Sequence, residues 1–147
     1  MKRSPALVRL SREHHAALVL AKRAQRAADA DAESARRFGA TLAERFATEL
    51  DPHFRIEEES LLPALNKAGG GELTPRTLAE HRELRALLAD AGSGDGASLR
   101  RFGELLEAHV RFEERELFAR AESVLDAALP GGLAPDPHHP ANPTQGA

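Results

Sequence analysis

The chain has 147 residues, 20 lysines and arginines against 23 aspartates and glutamates, and no cysteine, tryptophan or tyrosine. That length suits one domain with a real core. The mixed charge leaves no basic block or stripe for nucleic acid, and without cysteine there are no disulfides or thiolate ligands, so any metal must be held by imidazole and carboxylate.

The first stretch, "MKRSPALVRLSREHH", lacks an apolar core and a small-residue cleavage site, so it does not read as a secretory signal and a cytoplasmic location is expected. Ser4-Pro5 reads as an N-cap with proline at the first helical position, and the pattern predicts a helix to about Ala28. Its longest apolar run, "AALVLA" (16–21), is too short to span a bilayer. After the turn "DADAE" (29–33), a second helix is predicted from about Ser34 to Asn66, stopping at "AGGGE". Pro52 lies inside it and removes a backbone bond, which predicts a kink near His53. Thr74-Pro75 opens a third helix to about Ala91, and "GSGDG" (92–96) turns into a fourth over about Ala97 to Leu129. Apolar residues recur at three- and four-residue steps, as in Leu99, Phe102, Leu106, Val110 and Leu117, and no segment alternates with period two. The expected fold is an all-α, up-down-up-down four-helix bundle over residues 1–129. The Pro- and Gly-rich residues 130–147 are expected to form a disordered tail.

The chain echoes itself. "REHHAAL" (12–18) is similar to "AEHRELR" (79–85), and "PHFRIEEESLL" (52–62) to "AHVRFEERELF" (108–118), so the first two helices look like a duplicate of the last two. Residues four apart share a helix face, which pairs His53 with Glu57 and His109 with Glu113. Leu50, Phe54 and Leu61 flank the first pair, and Leu106, Val110 and Leu117 the second. His81 sits among Leu78, Leu84 and Leu88, and His14 among Leu7, Leu10, Ala17, Leu18 and Ala21. Each helix therefore turns one histidine towards the bundle axis. Any one of these could be a satisfied core histidine. Two buried carboxylates are another matter, because each costs several kcal/mol unless something compensates. A metal compensates better than the arginines, which mostly fall on flanking faces. Four imidazoles and two carboxylates suit iron, manganese or zinc. Six ligands in two sets fit two ions bridged by the carboxylates, whereas structural zinc wants one closed tetrahedron.

The pattern "EH" (13–14), "PHFRIEEESLLP" (52–63), "AEHREL" (79–84) and "HVRFEERELF" (109–118) resembles the hemerythrin-like, HHE cation-binding family over roughly residues 6–128. The resemblance implies a four-helix bundle with a non-haem di-iron centre, two iron ions with an oxo or hydroxo bridge. By position, His14, His53, His81 and His109 would be terminal ligands, and Glu57 and Glu113 would bridge. His15 is the rival to His14, and Glu58 and Glu114 are candidates for alternative ligands or for supporting groups behind the ligands. Oxygen carriers of this family have a fifth histidine one turn from the third-helix ligand, where this chain offers Thr77 and Arg85, and they bridge from the fourth helix with an aspartate. The expected function is therefore to sense or handle oxygen, peroxide, nitric oxide or iron, more than to carry oxygen reversibly. The alternatives are an enzyme turning over peroxide or nitric oxide and a metal-free helical interaction protein.

Overall fold

The computed structural model describes residues 5–128, and the expected tail at 130–147 lies outside them. Helix α1 is Pro5–Ala28, α2 covers residues 32–67, α3 is Thr74–Gly92 and α4 covers residues 96–128; a single 3-10 turn, Gly71–Leu73, precedes α3. Among the described residues there is no strand, and no helix is long and apolar enough to cross a membrane. Helix α1 packs on α2 and α4, and α3 packs on the same two helices from the other side, which is the expected up-down-up-down bundle.

The second and fourth helices start alike. In "DAESARRFG" (31–39) and "DGASLRRFG" (95–103), Asp31 accepts the Ser34 N–H at 2.8 Å and Asp95 accepts the Ser98 N–H at 3.0 Å, satisfying an otherwise orphaned donor of each first turn. The glycine that ends each stretch lets two backbones touch. A Cβ on Gly103 would lie 2.6 Å from the Ala21 carbonyl oxygen of α1, and one on Gly39 would lie 2.6 Å from the Gly92 carbonyl oxygen of α3.

Three π turns interrupt the long helices: Phe46–Leu50, Glu57–Leu61 and Glu113–Leu117. At the end of each, the next backbone N–H bonds five residues back, from Asp51 to Phe46, Leu62 to Glu57 and Phe118 to Glu113. The interruption that Pro52 predicts takes this form: the helix is already wound wide one turn ahead of the ring, where a regular α-turn would clash. The inserted residue also re-aims the side chains of the succeeding turn. Leu61, Leu62 and Leu65 are all buried, as are their counterparts Leu117, Phe118 and Ala121.

The core falls into two apolar clusters. One gathers Leu20, Leu42, Phe46, Leu50, Phe54, Leu84, Phe102 and Leu106, and the other Leu7, Leu10, Leu61, Leu65, Phe112, Leu117 and Phe118. Between them lies a layer of buried polar side chains contributed by all four helices.

Candidate metal centre

Besides Thr77, the buried polar side chains among the described residues are His14, His53, Glu57, His81, His109 and Glu113, none more than 5 % exposed, with the two carboxylates at 0 %. His15, the rival on α1, is exposed. Helical spacing explains the α2 and α4 contributions: His53 and Glu57 lie one turn apart, as do His109 and Glu113, and each glutamate then opens a π turn. His53 Nε2 lies 3.0 Å from Glu57 Oε2, His81 Nε2 3.0 Å from Glu57 Oε1, and His109 Nε2 3.0 Å from Glu113 Oε2. His14 Nε2 lies 2.7 Å from Glu113 Oε1.

Two groups of four could each hold a metal ion: His14, His53, Glu57 and Glu113, and Glu57, His81, His109 and Glu113, with ligand atoms within 4.8 Å of one another in each. Both groups contain both carboxylates. His53 Nε2, His81 Nε2, His109 Nε2, both Glu57 oxygens and Glu113 Oε2 are buried without a hydrogen bond of acceptable geometry. Buried polar atoms are nearly always satisfied, and orphaned atoms of this chemistry pointing at common positions fit an ion. A family model, described as the hemerythrin HHE cation binding domain, matches residues 6–121. The chain belongs to that family. Comparison with curated proteins and with solved structures gave no match.

Each of the four buried histidines of the HHE domain is gripped from behind by a carboxylate on its Nδ1. Glu13 holds His53 at 2.8 Å, Glu58 holds His81 at 2.6 Å, Glu80 holds His109 at 2.7 Å and Glu114 holds His14 at 2.7 Å. These contacts form a ring in chain order, α1 to α2, α2 to α3, α3 to α4 and α4 back to α1. A carboxylate on Nδ1 fixes the proton there and turns the Nε2 lone pair inward, the arrangement that orients imidazole ligands. Sequence reasoning left Glu58 and Glu114 open between ligand and support, and the structure places both behind histidines. It gave Glu13 and Glu80 no role, although each directly precedes a core histidine. Residues one apart point about 100° apart on a helix, so each serves the histidine of the next helix and not its own neighbour.

Without an ion, protons occupy the site. Burial disfavours a charged His53, but Glu57, Glu113 and Glu13 hold its pKa well above the usual histidine value. His109 is likewise opposed by burial and is pushed up to about 10 by Glu113 and Glu80. Burial alone would raise the Glu113 carboxyl, yet His109, His14 and His53 hold it well below the usual carboxylate range.

A cavity of about 250 Å³ reaches the centre between α1 and α2. Ala17, Leu20, Leu50, Phe54, Leu106 and Val110 line its apolar wall, it meets His14, His53, His109 and Glu113, and Arg9, Glu13 and Thr48 also border it. No α3 residue lines it. The positions where oxygen carriers place their fifth histidine are engaged otherwise. The Thr77 hydroxyl donates to the Leu73 carbonyl at 2.9 Å, and Arg85 pairs with Asp51 and Glu58.

Proposed function

We propose that this HHE domain holds two iron ions between Glu57 and Glu113 and exposes one edge of that pair to a small ligand such as oxygen, peroxide or nitric oxide, acting as a sensor or handler of that ligand or of iron. The observation that carries this reading is the sharing of both carboxylates by two four-residue groups, since one closed ion would need neither the third and fourth histidines nor the second carboxylate. Imidazole and carboxylate without thiolate suit iron, which when bound would supply redox change and open coordination positions. His14 and His53 would hold one ion, and His81 and His109 the other. The carboxylates Glu13, Glu58, Glu80 and Glu114 keep the four rings oriented. The apolar wall of the α1–α2 cavity suits a small uncharged ligand arriving beside His14 and His53.

A metal-free interaction role has less support. Among the described residues Val19 is the exposed large hydrophobic side chain, and an isolated one makes no docking patch.

Anaerobic loading with ferrous iron should give about two ions per chain, and air should then bring up a charge-transfer absorption of ferric iron. Saturation at or below one ion, at full occupancy and with zinc preferred, would overturn the reading. Sustained consumption of hydrogen peroxide by the loaded protein would make it an enzyme, and ligand binding without turnover would make it a sensor.

A further inference from the structure

Arg85 stands one turn after His81 on α3, and its guanidinium does two things at once. Its edge bridges Asp51 and Glu58 of α2: Nε and Nη2 donate to Asp51 Oδ1 at 3.1 and 3.0 Å, and Nη1 and Nη2 donate to Glu58 at 2.7 and 3.3 Å. Its central carbon, Cζ, lies over the Phe54 ring, 5.6 Å from the centroid. Both partners bear directly on His81. Glu58 Oε2, the oxygen nearest Arg85, accepts the His81 Nδ1 proton at 2.6 Å. Phe54 stacks on the His81 imidazole with ring centroids 4.0 Å apart and planes inclined by 16°.

We propose that Arg85 is the positioning residue for His81, fixing the edge of that imidazole through Glu58 and its face through Phe54. A carboxylate alone leaves a ring free to rock about the hydrogen-bond axis, and a stacked ring alone leaves it free to slide. Together they leave the Nε2 lone pair one direction. Arginine suits the role because its planar fork meets two carboxylates at fixed geometry while its face covers an aromatic ring, and a lysine ammonium cannot do both. Glu58 is about one fifth exposed, so without the clamp it could swing towards water and leave His81 behind. Arg76, also on α3, repeats the arrangement at His109 more loosely. It donates to Glu80 at 3.0 Å and lies 3.9 Å from the Phe112 centroid, but Phe112 and His109 are 6.4 Å apart and tilted.

The consequence for the loaded protein rests on the di-iron reading, whereas the clamp itself can be tested without metal. Histidine-ring nitrogen–proton spectra of metal-free wild type, Arg85→Met, Arg85→Lys and Arg76→Met, recorded at one pH, should resolve the site rings. In Arg85→Met the His81 signals should shift and broaden while those of His14 and His53 hold. Arg85→Lys, which keeps the charge and guards against a misfolded methionine variant, should show the same change to a smaller degree. Arg76→Met should move His109 and leave His81 as in wild type. Unchanged His81 signals in both Arg85 variants, or an equal change in Arg76→Met, would overturn the proposal, whether or not the protein takes up iron. In iron-loaded Arg85→Met, extraction by a chelator should become biphasic, one ion leaving about 10-fold faster or more. Loss of both ions together at a single altered rate would count against a role specific to His81. If wild type takes up no iron, the di-iron reading fails and the metal-free spectra still decide the role of Arg85.

Discussion

Glu57 and Glu113 are the residues on which the centre turns, because each belongs to both four-residue groups and each is fully buried. Four histidines could be packed into a helical core at modest cost, but two carboxylates side by side could not, unless protons or cations sat among them. Glu57→Gln and Glu113→Gln keep the shape and remove the charge. Each should reduce iron retention to at most about one ion per chain while far-ultraviolet circular dichroism of the metal-free protein stays helical. The wild type should gain about 2.7 kcal/mol of stability for each ion bound when free metal exceeds that ion's dissociation constant 100-fold, and either variant clearly less in total at the same metal concentration. Metal analysis paired with denaturant unfolding checks both points, and a variant that still holds the full complement would remove that carboxylate from the centre. At this scale the sequence was informative about what points inward. His14, His53, His81, His109, Glu57 and Glu113 all lie on apolar stripes, and all six are buried. It was silent about Glu13 and Glu80, since those side chains find their histidines across helix boundaries and no spacing within one helix encodes that.

At the scale of elements, boundaries were legible within a few residues because capping residues, prolines and glycines mark them. The π turns were only half legible. Pro52 and Pro63 follow two of them at the same distance, but Glu113–Leu117 has no proline after it and forms one nonetheless. What the turns opened by Glu57 and Glu113 share is a buried glutamate that must face the axis, with leucine or phenylalanine pairs after it that must do so too. A regular helix cannot present all of them on one face. Close approach of helices is the other feature set at this level. Gly103 brings α4 against the α1 backbone, and Gly103→Ala places a Cβ 2.6 Å from the Ala21 carbonyl oxygen, closer than real Cβ contacts come. The two helices must separate, and a cost of about 1–3 kcal/mol is expected, read as a lower denaturant midpoint. Arg37→Ala, an exposed position two residues before the matching Gly39, should leave the midpoint nearly unchanged.

For the whole molecule, the polar layer makes stability depend on pH in a definite direction when no metal is bound. His109 is pushed up to about 10 by Glu113 and Glu80 despite its burial. In the unfolded chain it returns to about 6.5. A group whose folded pKa is raised stabilises fully below its unfolded value and loses that contribution as pH rises through its folded value. The metal-free protein should therefore be most stable near pH 6 and lose stability steadily towards pH 10, and Glu113→Gln should flatten that slope. A flat wild-type profile in urea unfolding from pH 6 to 10 would contradict this account of the cluster. The placement of the cavity between α1 and α2, away from Thr77 and Arg85, is a property of the assembled bundle that no spacing within one helix encodes. Both of those side chains are held by other groups, and only the packing of all four helices shows it.

The ring of carboxylates behind the histidines has a two-fold symmetry of its own. Glu13 to His53 corresponds to Glu80 to His109, and Glu58 to His81 corresponds to Glu114 to His14. A lone α1–α2 hairpin closes just the first of these links and leaves His14 and Glu58 each reaching for a missing partner. Two identical hairpins placed head to tail would supply those partners to each other and complete the circuit. The fold thus contains the plan of a symmetric homodimer of half-length chains, and the loop between α2 and α3 is where a gene fusion would have joined them.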